Sequence, residues 1–128
     1  MLIRFVVDEL DPDSGRRQGL FQAAKTLRDS GRLSARDDNK LESLWDWFNK
    51  HLERPEKLAV SSKPHAKKQA LSWFRDTAYH HIAKMREFSD VLEQYGIGVV
   101  MIKTNRPGYV VYEDDHQVAA HPFADTQT

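Results

Sequence analysis

The chain is predicted to be α+β: three helices, one of them a long amphipathic helix over about 64–95, packed on a small, mostly antiparallel sheet in the order β-α-α-α-β-β-β. Three observations predict it. Apolar runs rich in β-branched residues stand near both ends of the sequence, at Leu2 to Val7 and from Ile97 onward, and read as strands. The middle of the sequence repeats apolar residues at steps of three and four, the period of a helix face. A chain of 128 residues is also the size of one domain (1–128), able to bury a core without disulfides or a structural metal.

Leu2 to Val7 is expected to be a strand with both faces partly covered. Asp11-Pro12-Asp13-Ser14-Gly15 breaks the chain. A first helix is expected from Arg17 to Ser30, with Leu20, Phe21, Ala24 and Leu27 on one face and Gly31 as its stop. Ser34 caps a second helix, and Asp37 in its first turn suits the helix dipole. Its buried stripe is Leu41, Leu44, Trp45, Phe48 and Leu52, and Pro55 ends it.

The third helix carries the argument about association. Leu71, Phe74, Ala78, His81, Met85, Phe88, Leu92 and Tyr95 form a seam close to a heptad, with no glycine or proline between 65 and 95. Such a helix would be about 48 Å long. A globule of this chain length is roughly 36 Å across. The overhang calls for a second chain on Leu71, Phe74, His81, Met85, Phe88 and Tyr95. Lys63, His65, Lys67 and Lys68 at the helix start, with Glu87, Asp90 and Glu93 toward its end, oppose the helix dipole. An antiparallel homodimer would turn that penalty into attraction, and the basic start could also hold an anion.

Gly96 closes the helix and Ile97 to Thr104 is expected to be an interior strand. Arg106-Pro107-Gly108 is a turn with glycine where φ must be positive. Tyr109 to Glu113 and Gln117 to Ala120 form a hairpin around Asp114-Asp115-His116.

Composition limits the functions available. Lysine plus arginine equals aspartate plus glutamate, at 19 each, so no net field steers the chain onto nucleic acid or membrane. The absence of cysteine removes thiolate catalysis and cysteine-ligated zinc and fits a cytoplasmic location. No apolar run is long enough to span a membrane, and no glycine-rich phosphate loop or G-x-S-x-G elbow is present. No cofactor is expected. Lys103, Arg106, Tyr109 and Tyr112 make at most a small basic-aromatic patch for single-stranded nucleic acid.

The expected function is a non-enzymatic association module, a homodimeric regulatory or accessory protein with a possible protein partner. The enzymatic alternative is a small ribonuclease or a metal-dependent phosphodiesterase. Arg75-Asp76-Thr77-Ala78-Tyr79-His80 resembles the R-x4-H signature of HEPN-type ribonucleases over these six residues. The resemblance implies a metal-independent site where two long helices meet in a dimer, with His80 moving the proton and Arg75 neutralising the phosphate. The acidic cluster Asp8, Glu9, Asp11 and Asp13 at a strand end is where a phosphodiesterase would hold magnesium or manganese.

Overall fold

The computed structural model describes residues 1–10, 17–52 and 70–128. Its elements run β1 (Leu2–Leu10), β2 (Arg17–Gly19), α1 (Leu20–Asp29), α2 (Ala35–His51), β3 (Leu71–Arg75), α3 (Tyr79–Gln94), β4 (Val99–Thr104), β5 (Tyr109–Glu113) and β6 (Gln117–His121). The chain is α+β, with three helices among the described residues and one antiparallel six-stranded sheet. The element order differs from the expected one, because a strand stands where the first half of the long helix was placed.

That strand is the main correction. Leu71, Phe74 and Ala78 fit a helical seam, but a short apolar run fits a strand equally well, and spacing alone does not separate the two. Trp73 and Phe74 decide it. Adjacent strand residues point to opposite faces, and both rings are buried because both faces of β3 are covered. A turn follows, in which Ala78 N donates to Arg75 O at 3.0 Å, and the helix begins only at Tyr79. The remaining seam, His81, Met85, Phe88 and Leu92, is helical as expected and fully buried. At 16 residues this helix is about 24 Å long, so nothing overhangs. Lys63, His65, Lys67 and Lys68 lie outside the described residues.

Two smaller corrections concern the ends of elements. Residues Arg17 to Gly19 form β2 rather than the first turn of α1, which starts at Leu20. Among the described residues Val99 to Thr104 pair with β1 alone, so β4 lies at an edge of the described sheet rather than in its interior. Other punctuation stands as read. Ser34 Oγ accepts from Asp37 N at 3.1 Å at the start of α2. Gly31, Gly96 and Gly108 all have positive φ, and at Gly108 a Cβ would sit 1.8 Å from His121 O.

The three helices cover one face of the sheet. Ile3, Phe5 and Val7 of β1 face Leu20, Leu27, Leu44, Phe48 and Phe88 in a single core cluster. Alternate residues of β1 point the other way, where Val6, Trp73 and Ile102 form a second, smaller cluster. One of the charges expected to face a partner chain, Glu87, is paired within this one. Glu87 of α3 pairs with Lys40 of α2 and with Lys84, and Arg28 of α1 pairs with Asp38 and Glu42 of α2. Glu42 and Asp38 raise the pKa of the Arg28 guanidinium, and Lys40 holds the Glu87 carboxyl below the usual range.

Candidate functional site

The site follows from how β1 is shared. On one side it pairs continuously with β4, from Leu2 opposite Thr104 to Val7 opposite Val99. On the other side it pairs with two different strands. Leu2 and Ile3 face Arg75 and Phe74 of β3, whereas Val6 and Leu10 face Gly19 and Arg17 of β2. Arg4 and Phe5 fall between, with no register partner on that side among the described residues. Asp8 N donates to Gly98 O on the β4 side and Met1 O accepts from Asp76 N on the β3 side. Ladder alternation therefore turns the peptide group of Phe5 toward the gap.

A cavity of about 370 Å³ opens at this split. Its walls come from both faces of the sheet: Phe5, Phe74 and Gln117 from the helix-covered face, Arg4 and Trp73 from the other. Leu20 and Phe21 close it from the start of α1, Trp45 and Phe48 from the second half of α2, and Leu52 from just past its end. Aromatic edges hold these walls. Phe21 packs edge-on against Phe48 at 5.1 Å and Phe88 at 5.3 Å, and Trp45 against Phe88 at 5.7 Å. Such edge-to-face contacts fix ring orientation as well as burying area.

The polar groups of the lining are few. Trp73 is 1 % exposed and its indole Nε1, a donor, is buried with no hydrogen-bond partner among the described residues. An unsatisfied buried donor costs about 1–3 kcal/mol. Gln117 is also 1 % exposed, and its Nε2 donates to Asp114 Oδ2 at 3.2 Å. Burial works against the charge on Asp114. The Tyr112 hydroxyl, the His116 amide and both Gln117 groups outweigh it, holding that carboxyl below its usual range. Asp114 thus braces Gln117 from outside the lining.

A second constellation lies at the far end of α2. His81 is buried, and its Nε2–H donates to the His51 carbonyl at 2.8 Å. Trp47 stacks on His51 at 4.4 Å and meets His81 edge-on at 4.9 Å. Burial pushes the His81 imidazole below its ordinary pKa, with His116 and the His51 ring adding to that, against the hydrogen bond to the His51 carbonyl and the charge of Asp114. A neutral, hydrogen-bonded ring in an aromatic cluster is a packing group.

The residues expected to act do not meet. Phe74, His81, Met85 and Phe88, expected at an interface, are buried in this chain's own core. Tyr95 is half-buried, its hydroxyl donating to Asp37 and accepting from Ser34 N, and Leu71 is half-buried on β3. Arg75 ends a strand and His80 sits exposed in the first turn of α3, so the six-residue signature crosses three kinds of structure. Arg75 is held by the β5–β6 hairpin, with Nε on Asp114 O at 2.8 Å and Nη2 on Glu113 at 3.0 Å. Asp8 and Glu9 are exposed on β1, and Asp11 and Asp13 lie outside the described residues. Among the described residues no three histidine, aspartate or glutamate side chains are placed to hold a metal ion. Arg106 lies over Phe123 and Tyr109 packs on the same ring, so that turn is a structural cluster.

Arg4, Trp73 and Gln117 did not stand out in the sequence as a site. The signals were an arginine inside a β-branched strand, a tryptophan that broke the helical seam, and a glutamine opening an apolar strand. Each marks a polar group in a place that is otherwise buried. Comparison with known proteins finds no matching family model, no matching curated protein and no matching solved structure. No helix among the described residues is long and apolar enough to cross a membrane.

Proposed function

We propose that the protein is a non-catalytic binding module that holds a small, largely apolar molecule in the cleft at the split between β2 and β3. The cavity carries this reading: at about 370 Å³ it falls within the range of roughly 300–1,000 Å³ usual for small-ligand sites. Its character matches too, with aromatic walls and a few convergent polar groups. Among the described residues lining it there is no nucleophile with an adjacent base, which supports binding rather than turnover. The absence of cysteine fits a reducing compartment such as the cytoplasm. A homodimer draws little support from the seam, because Phe74, His81, Met85, Phe88 and Leu92 are buried inside one chain.

The chain's own tryptophans supply the test. Trp45 and Trp73 line the cleft and Trp47 does not. Titration with naphthalene-sized aromatic compounds, followed through the three indole N–H resonances, is expected to move Trp45 and Trp73 saturably and leave Trp47 in place. Movement of none of them across such compounds overturns the proposal.

A further inference from the structure

We infer that the cleft is gated by pH: it holds an uncharged aromatic molecule while His81 is neutral and releases it when acid protonates that ring. The inference rests on the binding reading above and adds its regulation. His81 lies behind the lining, and parts of the wall are packed on it. Its ring is 6.2 Å from that of Phe48 and 6.0 Å from that of Phe74, both of which face the cavity. Met85, a third wall residue, stands one turn further along α3 on the same helix face. From the hairpin side His81 stacks on His116 at 4.5 Å, and the next residue, Gln117, belongs to the lining. Asp114 Oδ1 accepts the amides of both His116 and Gln117, which ties the stacked ring to the wall.

A proton has one place to go. Nε2 already carries the hydrogen given to the His51 carbonyl at 2.8 Å, so a second proton enters at Nδ1 and the ring becomes a cation. Trp47, Phe48 and Phe74, packed around it, carry no charge. The charged groups near it come from each neighbouring element. His51 on α2 and His116 on the β5–β6 turn oppose a positive ring, and Asp114 on that turn favours one. Arg75 of β3 is held on the Asp114 carbonyl and on Glu113. On α3 itself Lys84 lies over the Trp47 ring and His80 is exposed. Burial with the two histidine rings outweighs the His51 carbonyl and Asp114, so the cluster favours the neutral ring. A cation there must draw in water or push the hairpin turn away. Either one loosens Phe48, Phe74 and Gln117 around the ligand.

The probe is 2-naphthamide, which stays uncharged across the range, titrated into the full chain by calorimetry at pH 8 and pH 5. Affinity is expected to be at least about fivefold weaker at pH 5, with the far-ultraviolet circular dichroism of the chain unchanged. Linkage is reciprocal, so the probe should lower the midpoint of the His81 ring titration, followed by NMR, by at least about 0.7 of a pH unit. His81→Gln keeps a donor for the His51 carbonyl but cannot charge, and its two affinities should agree within about twofold. Equal affinity at both pH values, with a His81 midpoint unmoved by the probe, overturns the gating inference and leaves the binding reading standing. A pH dependence that persists in His81→Gln belongs to another group and overturns the inference as well. No binding at pH 8 overturns the inference and the binding reading together. The ring titration decides the matter even if the variant fails to fold.

Discussion

The imidazole of His81 lies nearly flat on that of His116, with ring centroids 4.5 Å apart and planes 28° from parallel. One ring belongs to α3 and is buried; the other sits on the β5–β6 turn and is exposed. The contact ties the hairpin end of the sheet to the helical layer. It also makes the two rings electrostatically opposed when both are charged.

The first expectation concerns pH. Burial lowers the folded-state pKa of His81 below its unfolded value of about 6.5. Between those two values the unfolded chain binds the proton more readily, so stability rises with pH. The stabilisation is complete above about pH 6.5 and is lost as pH falls toward the folded-state value. Thermal unfolding between pH 8 and 5 should show a falling Tm on the acid side, with a shallower slope in His81→Asn. Identical slopes would remove His81 as the cause.

Gly108 is the turn position that allows no other residue. Its φ of 129° and the 1.8 Å approach of His121 O to any added Cβ leave no room on either count. Gly108→Ala should destabilise by about 2–4 kcal/mol in urea unfolding. Among the described residues Gly98→Ala meets only Asp8 Cβ at 4.0 Å and should change stability by less than about 1 kcal/mol. Equal effects at the two sites would contradict the turn geometry.

Arg75 should behave as a brace. Its bond to the Asp114 carbonyl is part-buried, whereas its Glu113 partner is 62 % exposed. Arg75→Ala is expected to cost about 1–2 kcal/mol, and Glu113→Gln less than about 0.5 kcal/mol. Denaturant midpoints of the two variants measure the difference. RNA cleavage by the wild-type chain, lost in both Arg75→Ala and His80→Ala, would instead restore the nuclease reading.

Tyr95 links the end of α3 to the start of α2 through Asp37 and the Ser34 amide. Its hydroxyl lowers the Asp37 pKa, an effect at a solvent-exposed carboxylate. Tyr95→Phe should remove about 1 kcal/mol of stability and raise the Asp37 pKa measured by carboxyl NMR. An unchanged Asp37 titration would separate the two residues in solution.

Much of the fold was legible because local chemistry marked it. Ser34, Gly31, Gly96 and Gly108 set boundaries by capping and by positive φ, which depend only on neighbouring residues. The β5–β6 hairpin was equally local, with Asp114 accepting the amides of its own turn. The stretch from 71 to 78 failed because its pattern satisfies two periods at once. What selects the strand is a sheet partner far along the chain, Val118 opposite Trp73 and Leu2 opposite Arg75. The cleft was hidden for the same reason. It exists where β1 leaves one partner for another, so no contiguous segment carries its signature.

The most direct measurement is a crystal structure of the chain grown with 2-naphthamide. The expected density lies in the cleft, with the ring system between Phe48 and Trp73. A strand ladder closed across Arg4 and Phe5, with no space between β2 and β3, would contradict the site itself.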